Sequence, residues 1–232
     1  MNAKGAFLLA GALCLCGCSF RDDEPKQHES RTVDRDNSEF VRVKLDLGGG
    51  DLKVTGGTDK LAAAEFRYGA AAPKPEVHYS SAAGRGDLTI TQSGNTSSLS
   101  HTSKDWDLRF NQDVPLEIEV HMGGGDAHLD LGRLTLRNLN VDIGAGDLDL
   151  DLRGAPKKSY DVRVSHGAGD CTVRVPSGVG VEAQASGGIG DLHASGLHHE
   201  GNRYFNDAVG RSPVTIHLNV QSGVGDIKLI AE

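Results

Sequence analysis

The sequence predicts an all-β chain: a parallel β-solenoid, a stack of single-strand slices that turns at G-x-G-D corners. Three observations carry that expectation. First, G-x-G-D occurs seven times, at residues 48–51, 84–87, 123–126, 144–147, 167–170, 188–191 and 223–226, with steps of 36, 39, 21, 23, 21 and 35 residues between successive aspartates. A period near 21–23, with longer steps at both ends, marks stacked coils. Second, apolar residues alternate on either side of the copies: Val141 and Ile143 before one, Leu148, Leu150 and Leu152 after it. Period two with β-branched enrichment means half-buried strands. Third, glycine supplies 31 of 232 residues, about 13% against a usual ~7%, and the excess sits largely in these copies.

The chain divides in order. Residues 1–17 read as a lipoprotein signal peptide. Lys4 gives a positive start, and residues 5–15 form an apolar run covering only ~16 Å, too short for a hydrocarbon core of roughly 30 Å. Leu15-Cys16-Gly17-Cys18 resembles a bacterial lipobox, which makes Cys18 the expected lipid attachment site. Residues 18–39 are charged and almost free of apolar side chains, so they are expected to form a disordered tether. Residues 40–140 and 141–232 are expected to form two domains sharing one continuous core. With Cys14, Cys16 and Cys18 at the processed end, Cys171 is the remaining thiol. It lies in an alternating run and reads as a small buried hydrophobe.

The motif has a physical logic. A strand at a sharp corner needs a residue with positive φ or a place without a Cβ, and glycine supplies both. Gly50, Gly86, Gly125, Gly146, Gly169, Gly190 and Gly225 are therefore expected corner residues. Asp51, Asp87, Asp126, Asp147, Asp170, Asp191 and Asp226 are expected to accept freed N–H groups of their own turns, as in Asx turns. Strands about 4.8 Å apart would place these carboxylates in a ladder. The repulsion, roughly 0.9 kcal/mol per pair in water, is offset by bonds to N–H groups at ~1.5–3 kcal/mol each. A calcium-binding roll repeats every nine residues, unlike this chain. No metal or cofactor is expected.

The run from Leu45 through Asp151 resembles the N-terminal domain of toast-rack proteins. Leu45-Asp46-Leu47 with the first GGGD, residues 60–68, Pro73-Lys74-Pro75-Glu76-Val77, Trp106-Asp107-Leu108 and Val114-Pro115-Leu116-Glu117-Ile118 carry the likeness. From Gly144 onward, the two GAGD copies and the closing SGVGDIKL are similar to LiaF-like and adhesin-like C-terminal domains. The resemblance implies strands racked like slices, and it connects LiaF-like proteins with cell-envelope stress.

Composition narrows the function. The formal net charge is −8, and a processed chain would carry 23 basic against 32 acidic side chains. Nucleic acid is not an expected partner, because both would be negatively charged. Arg85-Gly86-Asp87 spells an integrin-binding tripeptide but reads as one more turn. His193, His198 and His199 lack a metal-binding scaffold. Outward acids such as Glu117, Glu119, Asp147, Asp149 and Asp151 have the spacing a glycoside hydrolase could use, but also that of a solubilising strand face. Trp106 and Phe110 are core residues or a sugar platform. The expectation is a non-enzymatic lipoprotein in the bacterial envelope, at the outer membrane if the cell is Gram-negative, with an envelope protein or wall polymer as partner. A surface adhesin is the alternative, and a carbohydrate-active enzyme a remote one.

Overall fold

The structure, a computed structural model, describes residues 26–70, 72–92 and 104–232. Cys18, the lipobox and most of the Ser93–Asp105 loop lie outside them. Nineteen strands follow one another: β1 (Lys26–Val33), β2 (Phe40–Leu47), β3 (Asp51–Gly56), β4 (Ala62–Gly69), β5 (Glu76–Ala82), β6 (Arg85–Gln92), β7 (Asp105–Phe110), β8 (Leu116–Met122), β9 (Ala127–Asp130) and β10 (Leu136–Ala145). Then come β11 (Leu148–Asp151), β12 (Tyr160–Ala168), β13 (Cys171–Val175), β14 (Gly180–Ile189), β15 (Leu192–Ser195), β16 (His198–Glu200), β17 (Arg203–Phe205), β18 (Thr215–Val224) and β19 (Ile227–Ala231). The described residues form two large sheets and no helix.

The nine-stranded sheet has the order β1-β4-β7-β3-β9-β11-β13-β19-β15, and the ten-stranded sheet β16-β17-β14-β18-β12-β10-β8-β2-β6-β5. Alternation decides what lies between them. The central strands turn every second side chain inward, and parallel register lines these up in rows. One row runs Leu45, Val120, Val141, Val164, Val220 and Ala185 across six neighbouring strands. The facing sheet answers with Val54, Leu129, Leu150, Val173, Leu229 and Ala194. A single buried cluster extends from Val41 to Leu229. At about 25 cal/mol per Å² of apolar surface, such rows dominate the folding energy.

The pairing departs from an all-parallel stack. The ten-stranded sheet is parallel in the middle and antiparallel at both ends, at β5–β6 and at β14–β17 and β16–β17, whereas the nine-stranded sheet is antiparallel only at its β1–β4–β7 end. Part of the expected tether is a strand: β1 pairs along its whole length with β4, since backbone hydrogen bonds need no apolar side chains. Sequence order is not stacking order. The last crossing, β18 to β19, lies between β12–β13 and β14–β15. The longer steps near both ends hold insertions, β4–β7 and β16–β17.

Gly86 and Asp87, expected at a corner, do not lie at a crossing between the sheets. Six G-x-G-D copies carry the chain from the ten-stranded to the nine-stranded sheet, but residues 84–87 lie in the β5–β6 hairpin within one sheet. Positive φ falls there on Ala83 (51°) and Gly84 (78°), the two residues between the strands, as a two-residue hairpin requires. Gly86 serves space instead: a Cβ would lie 2.6 Å from the Tyr79 hydroxyl oxygen. Asp87 accepts from Arg85 Nε at 3.0 Å.

Candidate functional site

The repeated edge shows how the sheets are joined. Gly146 has φ +120°, and a Cβ on it would stand 2.1 Å from the carbonyl oxygen of Gly125. Gly144 is closed in the same way, its Cβ position 2.5 Å from Gly123 O. Strand spacing here is set by backbone on backbone, and two bare positions are needed in this way at five of the six crossings. The Gly146 N–H donates to Ala168 O at 2.8 Å in the next layer. Gly50, Gly125, Gly169, Gly190 and Gly225 share the positive φ.

The aspartates are bonded across layers rather than within their own turns. Asp147 N–H donates to Asp126 Oδ1 (3.0 Å), Asp170 N–H to Asp147 Oδ1 (2.9 Å), Asp226 N–H to Asp170 Oδ1 (3.1 Å) and Asp191 N–H to Asp226 Oδ1 (3.0 Å). Each carboxylate thus ties its layer to the following one, and Asp191, just before the edge strand β15, ends the series. Asp51 instead donates its N–H to Lys104 O at 2.7 Å. The sequence expectation of Asx turns is replaced by this interlayer ladder. Lys228 Nζ stands 3.7 Å from Asp170 Oδ2 and moderates the charge.

Asp147, Asp149 and His128 line one cleft with the G-x-G-D aspartates Asp51, Asp126 and Asp170, and the other candidates pair locally. Among the described residues no three metal-ligating side chains are grouped so as to hold a metal ion. His198 bonds Asp207 at 2.6 Å, His199 stacks on Tyr204 with centroids 4.6 Å apart, and His193 lies on β15. His121 meets Glu119 at 2.7 Å, and His128 meets Asp149 at 3.3 Å. Glu117 lies 3.5 Å from both Arg42 and Arg137, Asp149 pairs with Arg174, and Asp151 with Arg153. These outward acids are held by cations along the strand faces. Trp106 is buried beside Phe66, which removes the sugar-platform reading. Cys171 is buried, and burial pushes its thiol up to about 12.

Two features escaped sequence reading. His166 is buried in an inward row at a crossing: its Nε2–H donates to Gly146 O at 2.7 Å, and its Nδ1 lies 3.3 Å from Ser222 Oγ. Nothing in a period-two pattern separates such a histidine from an outward one. Gly132 and Gly154 form a second bare column at the opposite edge, where a Cβ on Gly154 would lie 1.9 Å from Gly132 O. Their separation of 22 residues matches the G-x-G-D period and was the available signal.

An all-β stack whose most repeated residues hold neighbouring layers together defines a repeat protein that presents broad outward sheet faces. The chain belongs to the toast-rack family: the family model described as the N-terminal domain of toast_rack matches residues 22–174. A second model, cell wall-active antibiotics response LiaF, C-terminal, matches residues 123–229. The crystal structure of a putative cell adhesion protein from Clostridium sporogenes is 33% identical, over 89% of this chain and 100% of that one, with a TM-score of 0.85. A putative adhesin from Bacteroides fragilis is 15% identical over 88% of this chain and 96% of that one, with a TM-score of 0.29. No curated protein matches the chain.

Proposed function

We propose that this chain is a non-enzymatic component of the bacterial cell envelope, anchored by lipid at Cys18. In this reading its β-solenoid turns at G-x-G-D corners and offers its outward faces to another envelope protein or a wall polymer. The observation that carries the proposal is the whole-length likeness to the Clostridium sporogenes protein, which is described as a putative cell adhesion protein. The LiaF-like match over residues 123–229 supports a link to the response to cell-wall damage. The deciding experiment is cross-linking and affinity capture of the lipidated protein from its own envelope. Recovery of a defined envelope protein or wall fragment is expected. Cys18→Ser should move the protein out of the membrane fraction, and retention there would sink the anchoring reading.

The corner reading has its own test. Gly146→Val meets both a positive φ and a carbonyl 2.1 Å from the new Cβ, so a loss of more than ~4 kcal/mol is expected in chemical denaturation. An unchanged midpoint would remove the corner from the account. A second reading, a surface adhesin recognising glycans or cells, is favoured by the name of the same solved relative. It requires the domain to face outward, so protease added to intact cells should release it.

A further inference from the structure

Charge is unevenly placed on this stack. The G-x-G-D edge carries aspartates layer after layer. At the opposite edge, residues 111–115, 131–135 and 152–159 lead back into the ten-stranded sheet and border a cleft of about 880 Å³. Arg133, Arg137, Arg153, Lys157 and Lys158 line it, against Glu39 and Asp113, in a chain whose net charge is −8.

Two of these cations are already engaged. Arg153 bonds Asp151 and reaches Glu232 at 2.6 Å, while Arg137 lies 4.1 Å above the Phe40 ring and 3.5 Å from Glu117. On the acidic side, Asp113 faces Arg35 at 3.9 Å. Arg133, Lys157 and Lys158 are exposed and have no carboxylate partner among the described residues.

The backbone accounts for their convergence. A Cβ on Gly132 would stand 1.8 Å from Arg153 O, so the two loops stack without side chains between them. Arg133 and Arg153, each next to one of the bare glycines, then project from adjacent layers. The N–H groups of Gly154, Ala155 and Lys157 meet no protein acceptor among the described residues. Buried Leu134 and Leu136, with Pro156, add apolar surface to the lining.

We propose that this cleft binds a phosphate ester, with Arg133, Lys157 and Lys158 as its cationic contacts. Unpaired cations around a concavity focus positive potential that the chain's net charge conceals. A guanidinium fork matches two phosphate oxygens, and lysines add point charges. Three unpaired cations exceed what one carboxylate needs and suit a dianion or successive phosphodiesters. The apolar lining suits the carbon part of an ester. Phospholipid headgroups and soluble phosphate esters share this chemistry.

The test uses the full chain carrying Cys18→Ser in every arm, so that no acyl group contributes. Calorimetric titration with glycerol phosphate and with inorganic phosphate should show saturable binding that weakens with added salt. Sedimentation with phosphatidylcholine vesicles, with and without phosphatidylglycerol, reads the lipid arm as the difference between the two. Arg133→Gln/Lys157→Gln/Lys158→Gln should lower affinity at least about tenfold while leaving the melting temperature unchanged, because all three side chains are exposed. Lys53→Gln, on the aspartate-bearing face, should leave binding unchanged. Saturable binding of glycerol phosphate with equal partition to both vesicles assigns a soluble ester. A preference for phosphatidylglycerol vesicles alone assigns a headgroup. The proposal is overturned if neither phosphate binds at about 10 mM and the vesicles do not differ, or if the triple variant binds like its parent.

Discussion

The two ends of the stack are finished differently. At one end the nine-stranded sheet closes with β3, β7, β4 and β1, and its inward positions hold Trp106, Phe66, Phe110 and Tyr68, all buried. Phe66 and Trp106 meet edge to face with centroids 5.1 Å apart. The indole N–H donates to Gln92 Oε1 at 3.3 Å, and Gln92 Nε2 in turn donates to Pro73 O at 2.7 Å. At the other end the inward rows shrink. The row Leu47, Met122, Ile143, His166, Ser222 ends at Gly187, and the neighbouring one ends at Ala185. The last four residues of β14 are exposed, Ile189 reaches 72% exposure, and β15 is an edge strand with no further strand beside it. One end is sealed with aromatic volume. The other tapers until little apolar surface remains to be covered, and it also ends the aspartate ladder.

The difference is measurable. The largest effect is expected from Trp106→Ala, which should cost ~3–5 kcal/mol by urea denaturation because a buried aromatic leaves a cavity and an unpaired Gln92; a loss below 1 kcal/mol would show the sealed end to be dispensable. Next, Asp147→Ala removes an interlayer acceptor and should cost about 1–2 kcal/mol, whereas Asp191→Ala, at the end of the ladder, should cost nearly nothing. Equal losses would break the ladder account. Leu192→Ala at the tapered end should cost less than about 1.5 kcal/mol, because the site is only half buried and open to relaxation. Amide exchange should follow the same gradient, with β15–β17 opening well before β4 and β7.

The smallest effect concerns Cys171, in the middle of the nine-stranded sheet. Burial raises its thiol from the ordinary 9.0 to about 12. The unfolded chain therefore releases a proton across that interval that the folded chain retains, so stability is unaffected below pH 9 and declines between 9 and 12. A thiol reagent should label the folded protein only at the rate of unfolding, and rapid labelling of native protein would contradict the burial.

Much of this was legible in the residues. Alternation marked the strands because a pleated strand offers only two faces, and the glycine–aspartate repeat marked six sheet crossings because nothing larger fits against a neighbouring carbonyl. The seventh copy shows the limit. Residues 84–87 have the same letters, yet their surroundings place them in a hairpin where Gly84, rather than Gly86, carries the positive φ. The charged run at 26–33 was equally opaque, since β1 is held by its backbone pairing with β4 and carries no strand pattern. The phosphate cleft left only a faint trace: Arg133, Lys157 and Lys158 are scattered in sequence and meet because the loops that bear them stack.

By itself, then, the sequence determined the class, the period and the residues that cannot bear a side chain, because these depend on local sterics and on burial of every second residue. The tertiary structure decided the order of the layers, which N–H groups the aspartates accept, and how the two ends are closed. Those outcomes depend on which strands become neighbours, as when β18 enters between β12 and β14, and no single strand encodes its neighbour.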